Sequence, residues 1–327
     1  STLKKKKIKN ILITGCSGFI GNYLINTLLN KKFDNKLKIY GLDIVEPKLF
    51  ENTNKKNFYF YKKDLFKLNK FNLNKPIDLV IHLAGIPSPV FYKLKPLETF
   101  YLNSELCKIF LDFSRKKKSK FVFFSSSEIY GNPDKKNIPT KETYYGNVNS
   151  FGPRSCYDEG KRVGETLCYI YKNYFNSKIK IIRPFNVFGP LMNKKDYRVI
   201  PNIINKINNN QKILIHGNGR QTRTFCYITD AMIGFLRVIL LGKFGEIYNI
   251  GNQFNEISMI KLVKIFDNLL KKKNKFKLID YPKNYPADEP MRRCPNINKA
   301  IHDTKYYPKV SVKEGVYRVL KYNKLSA

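Results

Sequence analysis

KNILITGCSGFIGNYLINTLL, residues 9–29, decides the fold of this 327-residue chain. Its first part is a short apolar run with β-branched residues, typical of a strand, and its last part carries apolar side chains at helical spacing. Gly15, Gly18 and Gly21 stand in the turn between the two. Glycine allows backbone N–H groups and a helix N-terminus to approach a pyrophosphate where a Cβ would block the approach. The stretch therefore predicts a strand, a phosphate-binding turn and a helix.

Asp43 is predicted to bind the adenosine ribose of a dinucleotide. The short strand Lys38–Leu42 leads directly into Asp43, which follows Gly21 at close to the ~20 residues expected for such a carboxylate. An acid at this position favours NAD over NADP. The alternative is that Asp43 only caps a loop.

Two further runs, LVIHLAG at 79–85 and KFVFFS at 120–125, are continuously apolar, and the helical stretch 97–116 separates them. Continuous hydrophobicity marks strands that are buried on both faces. Alternating strands and helices imply an α/β fold, a Rossmann-like doubly wound parallel sheet that binds ligands at the carboxyl ends of its strands. We expect a smaller C-terminal α/β lobe to bind the substrate.

A pair of candidate catalytic residues lies in GPRSCYDEGKR, residues 152–162. Tyr157 and Lys161 are four residues apart and so share one face of a helix. An ammonium one turn away favours the phenolate, which would let the pair remove a proton from a sugar hydroxyl near neutral pH. A serine cluster with a carboxylate, SSSEIYG at 125–131, follows a predicted strand and would face the same site.

These motifs resemble those of extended short-chain dehydrogenase/reductases that act on nucleotide sugars, and most of all those of UDP-glucuronate decarboxylases (UDP-xylose synthases). The shared superfamily motifs are TGCSGFIG (14–21), HLAG (82–85), SSSEIYG (125–131), YDEGK (157–161) and RPFNVFGP (183–190). The segments more typical of the decarboxylases are GPRSCYDEGKR (152–162), VGETLCYIY (163–171), QTRTF (221–225) and DEPMRRCP (288–295).

The resemblance implies a catalytic role for four residues. Ser126 would hydrogen-bond the sugar C4 oxygen, Tyr157 would remove its proton, and Lys161 would lower the tyrosine pKa and bind the nicotinamide ribose. Oxidation at C4 by NAD makes the sugar carboxylate β to a ketone, so carbon dioxide can leave. Glu128 would manage protons or water near C5, and re-reduction would regenerate NAD.

The resemblance also implies the residues that bind the two ligands. The cofactor-binding set is Gly15, Gly18, Phe19, Ile20, Gly21, Asp43, Asp64, Leu65, Leu83, Ala84, Gly85, Tyr157 and Lys161. The nucleotide sugar, expected to be a UDP-sugar, would be bound by Ser127, Asn186, Arg223 and Arg292, with Arg293 as the less certain member of the arginine pair.

Neighbouring activities remain as alternatives. The 4,6-dehydratases carry Asp-Glu where this chain has Ser127-Glu128, and the 4-epimerases usually have a small or hydroxyl residue in place of Glu128. A cofactor-binding regulator without turnover would normally lose Tyr157 or Lys161. The departures from the decarboxylase pattern, which put the sugar in doubt, are Ser126 for threonine, Phe124 for a small residue, the loop 82–89 and the segment 292–294.

A nucleic-acid partner is suggested only by the formal net charge of +36. Lysine far outnumbers arginine and is scattered among asparagine and isoleucine, so we interpret the charge mainly as compositional drift. No zinc-finger spacing, arginine-rich helix or RNA-binding aromatic signature is present. We therefore expect no nucleic-acid partner.

Six cysteines without paired spacing indicate free thiols in a reducing cytoplasm, and three distant histidines give no support to a metal site. No apolar run reaches the ~18 residues of a membrane span, and no signal peptide is predicted. Apolar residues on several faces of the helices 101–116 and 157–174 suggest a homodimer.

Two domains are predicted. Residues 1–182 and 225–251 would form the dinucleotide domain, and residues 183–224 and 252–327 would form the substrate lobe. The proline-rich stretch 281–290 is predicted to be a loop.

Overall fold

A parallel sheet of seven strands forms the centre of the computed structural model, which describes residues 8–32, 36–193, 197–272, 274–280 and 291–325. The strands are β1 (Asn10–Thr14), β2 (Lys38–Asp43), β3 (Phe58–Lys62), β4 (Leu79–His82), β5 (Lys120–Phe124), β6 (Ile179–Pro184), β7 (Val187–Phe188), β8 (Ile213–His216), β9 (Thr222–Thr224), β10 (Cys226–Tyr227), β11 (Ile247–Ile250), β12 (Glu256–Ser258), β13 (Phe276–Ile279) and β14 (Arg292–Arg293). The main sheet has the order β11-β6-β5-β4-β1-β2-β3, and every pair in it is parallel. The predicted Rossmann-like α/β fold is confirmed.

Helices cover both faces of this sheet. They are α1 (Phe19–Leu28), α2 (Pro89–Leu94), α3 (Pro96–Asn103), α4 (Glu105–Lys116), α5 (Ser155–Phe175), α6 (Val199–Asn208), α7 (Ile228–Leu241), α8 (Met259–Leu270), α9 (Asn298–Thr304) and α10 (Val312–Tyr322). Side chains of β1 alternate between the two layers: Ile11 and Ile13 pack into one core cluster and Leu12 into the other. Burial on both faces explains why the strands are continuously apolar.

The strand order reverses at β1, which has β2 on one side and β4 on the other. In doubly wound sheets the loops that leave the carboxyl ends of such neighbouring strands diverge and open a crevice between them. The turns after β1, β2, β4 and β5 therefore share one end of the sheet. All four carry residues that were predicted to bind ligands.

The predicted helix 97–116 is two helices, since the chain breaks at Ser104 between α3 and α4. Ser104 has φ −108° and ψ −82°, which is not helical, and its hydroxyl donates to the carbonyl of Phe100 at 2.7 Å. A serine side chain that bonds to nearby backbone competes with regular helix formation. Strand β3 was missed because its residues are only partly buried at the sheet edge.

Within the described ranges, three small sheets lie outside the main one. They are the pair β7–β10, the pair β8–β13 and the three-stranded sheet β12-β9-β14. Strand β11 returns to the main sheet beside β6. The division into two domains stays a prediction, and the predicted loop 281–290 lies outside the described residues. Among the helices described here, none has the length and apolar character required to cross a bilayer.

Candidate active site

A cleft of about 1430 Å³ opens at the carboxyl ends of the central strands. This volume exceeds the ~300–1,000 Å³ of a site for one drug-sized ligand, so the cleft has room for both a dinucleotide and a nucleotide sugar. Of the predicted site residues, the following line it: Gly15, Gly18, Phe19, Ile20, Gly21, Asp43, Asp64, Leu65, Leu83, Ala84, Gly85, Ser126, Ser127, Glu128, Tyr157, Lys161, Asn186 and Arg223. Arg292 is the one predicted residue that is not in this wall.

The glycine turn after β1 has no space for side chains at two positions. Gly15 has φ +68°, and a Cβ there would lie 2.7 Å from the backbone nitrogen of Ala84. A Cβ on Gly21 would lie 2.5 Å from the carbonyl oxygen of Gly15. The first turn of α1 thus packs directly on the strand-to-helix loop, and its N-terminus is open to the cleft. This cradle fits the pyrophosphate of NAD, which a helix N-terminus stabilises.

Asp43 lies at the end of β2, where its carboxylate faces the glycine turn. It accepts hydrogen bonds from the backbone N–H of Ser17 at 2.9 Å and of Ile44 at 2.7 Å. Both bonds fix an acceptor group at the cleft wall, as ribose hydroxyls require. Asp64 caps the short 3-10 turn Leu65–Lys67 by accepting from the N–H of Phe66 at 3.1 Å.

Tyr157 and Lys161 lie near the start of α5, and both are buried. A hydrogen bond joins Ser126 to Tyr157, and the Ser126 hydroxyl also accepts from the N–H of Glu128 at 3.2 Å. The Lys161 ammonium donates to the carbonyl of Phe124 at 2.7 Å and lies 5.8 Å from the centre of the Tyr157 ring. The structure therefore brings Ser126, Tyr157 and Lys161 together at the end of β5.

The expectation that Tyr157 has a lowered pKa is not met in the structure. The pKa of Tyr157 is raised to about 12, mainly by burial; the bond to Ser126 opposes this rise, and the carboxylates of Glu128 and Asp158 add to it. The ring of Tyr92 stacks on that of Tyr157, with centroids 4.7 Å apart and planes 12° apart. The sequence shows that the lysine stands at the right spacing, but it does not show that the phenol of Tyr157 is buried away from water.

The charge on Lys161 is also destabilised by its surroundings. Burial lowers the pKa of Lys161 to about 8, although Cys107 and Glu165 act in the opposite direction. Its carbonyl partner and the face of the Phe123 ring, 5.1 Å from the ammonium, supply part of the lost solvation. Lys161 is thus mainly protonated at pH 7.

Glu128 lies between two arginines at the same end of the cleft. One carboxylate oxygen forms an ion pair with Arg154 and the other accepts from Arg293 at 2.5 Å. Arg154 also donates from Nε to Asp158 at 3.3 Å. Burial raises the pKa of Asp158 to about 7, because Arg154 offsets only part of the cost of a buried charge. This group of four charged side chains was not predicted as a unit.

Asn186 and Arg223 line the part of the cleft assigned to the substrate. Asn186 has φ +39°, and its buried side-chain amide nitrogen makes no hydrogen bond to any described residue. Arg223 lies on β9, is buried, and donates to the carbonyl of Thr222 at 2.8 Å. A donor without a partner in a cleft wall is typical of a ligand-binding position.

Arg292 was predicted to bind the substrate, with Arg293 as the less certain member of the pair, but the structure places Arg293 and not Arg292 in the cleft wall. Arg292 points to the surface, where its Nε and Nη2 form two hydrogen bonds of 2.6 and 2.8 Å with Glu256. Arg293, the next residue of β14, is buried and lines the cleft. Adjacent strand residues face opposite sides, so only one of the two can reach the site. The structure favours Arg293 over Arg292.

Three residues of the site were missed. Tyr92 covers Tyr157, Arg154 contacts Glu128, and Arg198 lies near enough to affect the Tyr157 pKa. Arg154 could have been predicted from the sequence, because it stands three residues before Tyr157 in the motif that resembles the decarboxylases. Tyr92 and Arg198 lie in segments with no distinctive local pattern.

Comparisons with known proteins agree with this geometry. Residues 11–251 match the NAD dependent epimerase/dehydratase family. UDP-glucuronic acid decarboxylase 6 of Arabidopsis thaliana is 35% identical over 310 residues, which cover 94% of this chain and 86% of that protein. UDP-glucuronic acid decarboxylase 1 of Xenopus tropicalis is 31% identical over 325 residues, covering 98% and 73%.

The fold also matches solved structures. That of UDP-glucuronic acid 4-epimerase from Bacillus cereus, in complex with UDP-glucuronic acid and NAD, superposes with a TM-score of 0.80 at 26% identity and covers 96% of this chain and 99% of that one. The predicted relationship to nucleotide-sugar enzymes and to UDP-glucuronate decarboxylases is confirmed, and so is the predicted cofactor, NAD. The chain belongs to the NAD-dependent epimerase/dehydratase family.

Proposed function

We propose that this protein decarboxylates UDP-glucuronate by oxidation at C4, loss of carbon dioxide and re-reduction. The observation that carries the proposal is Glu128, a carboxylate held between Arg154 and Arg293 next to the Ser126–Tyr157 pair. Simple 4-epimerisation needs no carboxylate at this position. The decarboxylase relatives, at up to 35% identity over 94% of the chain, support the same choice.

Each side chain has a part in this proposal. Bound NAD supplies the oxidation at the sugar C4 and its later reversal. Ser126 orients the C4 hydroxyl. Tyr157, whose pKa is about 12 in the structure, first gives up its own proton to solvent, and the resulting phenolate accepts the C4 hydroxyl proton as the C4–H bond breaks. Lys161 places a positive charge beneath the reacting groups. Glu128 handles the proton at C5 once carbon dioxide has left.

The cofactor and substrate contacts complete the proposal. The glycine turn holds the pyrophosphate of NAD, Asp43 its adenosine ribose, and Leu83–Gly85 with Lys161 its nicotinamide end. Ser127, Asn186 and Arg223 bind the nucleotide sugar, with Arg293 in place of Arg292. Arginine forms charge-assisted bonds with a diphosphate, and an amide side chain donates to sugar or phosphate oxygens.

A test of this function is the product mass from UDP-glucuronate with catalytic NAD, with UDP-glucose as a parallel substrate. The proposal predicts a UDP-pentose and carbon dioxide from the first and no net product from the second. Loss of water from UDP-glucose would instead identify a 4,6-dehydratase.

A second candidate is 4-epimerisation of UDP-glucuronate. It is favoured by the structural similarity to the Bacillus cereus 4-epimerase, with a TM-score of 0.80. The same assay separates the two, because an epimerase leaves the mass of the nucleotide sugar unchanged. A new isomer without carbon dioxide would favour this candidate and contradict the first.

We also propose that the protein is a cytoplasmic homodimer. Its six cysteines are all free thiols, as in a reducing compartment. Helix α5, one of the two helices predicted for the interface, and the neighbouring helix α3 carry apolar side chains that solvent reaches, with Tyr169 63% and Leu97 77% exposed. A second copy packed against these helices would cover such side chains. Light scattering on the eluting protein tests the dimer, and a monomer mass at micromolar concentration would contradict it.

A further inference from the structure

The charged group behind Glu128 extends further than the proposed reaction requires. Asp158 is 4% exposed and lies one turn after Arg154 at the start of α5. It does not line the main cleft, so it is not placed to touch the sugar. Burying a second carboxylate beside Glu128 costs free energy, which calls for an explanation.

Arg154 connects the two carboxylates. Its Nη2 forms the ion pair with Glu128 and its Nε donates to Asp158 at 3.3 Å. The Arg154 side chain is 5% exposed, and the planar guanidinium fixes the angle between these two bonds. A lysine ammonium in its place is a single charged nitrogen on a flexible chain and does not hold the two carboxylates at a fixed angle.

A small cavity of about 10 Å³ lies behind this group. It is lined by Glu128, Arg154, Asp158 and Arg293 with the loop residues Gly131 and 147–149. That volume is about the minimum for one water molecule. The second oxygen of Asp158 makes no hydrogen bond to any described residue. Of the four charged residues, Asp158 alone lines this cavity without also lining the main cleft, whereas Glu128, Arg154 and Arg293 line both.

We propose that Arg154 and Asp158 are positioning residues: Asp158 fixes the guanidinium of Arg154, and Arg154 fixes Glu128 for the step that follows sugar oxidation. This inference rests on the proposed decarboxylation, in which Glu128 acts at C5. In this proposal neither Arg154 nor Asp158 contacts C4, where Ser126 and Tyr157 act. Weakening either residue therefore slows the later steps and leaves the first oxidation intact.

The test compares Asp158→Ala, which removes the acceptor for Arg154, with Asp158→Asn, which keeps an oxygen in the same place. We expect kcat for carbon dioxide release to fall about 10- to 100-fold in Asp158→Ala, the rate equivalent of one charge-assisted hydrogen bond, with KM changed less than about threefold. Asp158→Asn restores most of the rate. An equal loss in both variants, or a loss confined to KM, would overturn the inference.

A spectroscopic readout separates positioning from mere destabilisation. Because oxidation precedes the affected step, Asp158→Ala accumulates enzyme-bound NADH after substrate is added, visible by its near-ultraviolet absorbance. Asp230→Asn is the matched control, since Asp230 is 3% exposed, lies in the first turn of α7 and accepts two backbone N–H bonds outside the site. It lowers the melting temperature without NADH accumulation.

A double-mutant cycle tests whether Asp158 acts through Arg154. In an Arg154→Lys background the further change Asp158→Ala has little additional effect on kcat, whereas independent roles would multiply the two losses. Multiplicative losses would contradict the inference. Failure of the wild-type protein to release carbon dioxide would instead refute the proposed function, so the two failures are distinguishable.

Discussion

Tyr157→Phe is the most informative single change, because it removes one oxygen and keeps the ring that stacks on Tyr92 at 4.7 Å. In the structure the pKa of Tyr157 is about 12. The ionised fraction at pH 7 is then only about 10⁻⁵, and forming the phenolate in advance would cost about 7 kcal/mol. A protonated phenol cannot accept a further proton, so positive charge at the site, that of Lys161, has to favour ionisation of Tyr157 before it takes the C4 proton.

Loss of a general base in this position is expected to lower kcat about 10²- to 10⁴-fold, which corresponds to about 3–5 kcal/mol of the barrier. Stability should change by no more than about 1 kcal/mol, since a single hydrogen bond, to Ser126, is lost with the hydroxyl. The assay is the initial rate of carbon dioxide release from UDP-glucuronate, with thermal unfolding measured on the same samples.

Tyr92→Phe is the matched control, since it removes the hydroxyl from the other ring of the stack. That hydroxyl donates to the carbonyl of Pro87 at 3.3 Å, and its loss should lower kcat less than about tenfold. If Tyr157→Phe kept more than a tenth of the wild-type rate, or if both variants lost the same factor, the assignment of the base would be refuted.

Three further results are expected. The Cβ of Gly21→Ala would lie 2.5 Å from a backbone oxygen of the same turn, so this variant should weaken NAD binding, measured by calorimetry, more than tenfold. The Cβ of Gly18→Ala would lie 3.3 Å from the nearest atom, so its effect should be clearly smaller. Equal effects would contradict the role of the glycine turn in binding the pyrophosphate. Arg293→Gln should lower kcat at least tenfold and Arg292→Gln less than twofold, and the opposite ranking would restore the sequence-based preference. Because the pKa of Asp158 is raised to about 7 in the folded state from an ordinary value of 3.8, the folded state binds the extra proton between these values, so this carboxyl's contribution to stability falls as pH rises from about 4 to 7. Asp158→Asn should remove that slope from melting temperatures measured across this range, and an unchanged slope would contradict the assignment.

The fold was predictable from sequence because a parallel strand that is buried on both faces is a continuous run of apolar residues. The runs at 9–14, 38–42, 79–85 and 120–125 coincide with β1, β2, β4 and β5. The sequence pattern of strand β3 is less distinctive, since this strand lies at the edge of the sheet and is only partly buried. The break at Ser104 depends on one side-chain bond, which periodicity does not show.

The site was predictable where one local motif places several groups together. The glycine turn and the Tyr157–Lys161 spacing each follow from a single strand or helix. The ion pair of Glu128 with Arg293 joins residues 165 apart, and its existence depends on how β14 packs beside β9. The pKa of Tyr157 depends on burial beneath Tyr92, which no spacing within one motif indicates.

The measurement to make first follows the carboxyl carbon of UDP-glucuronate, labelled with carbon-13 at C6, by NMR in the presence of catalytic NAD. Decarboxylation with Glu128 at C5 predicts that the label leaves the nucleotide sugar as carbon dioxide and bicarbonate in the wild type, and that Glu128→Gln slows this loss about 10²-fold or more. Retention of the label in a new UDP-uronic acid would contradict decarboxylation and identify an epimerase.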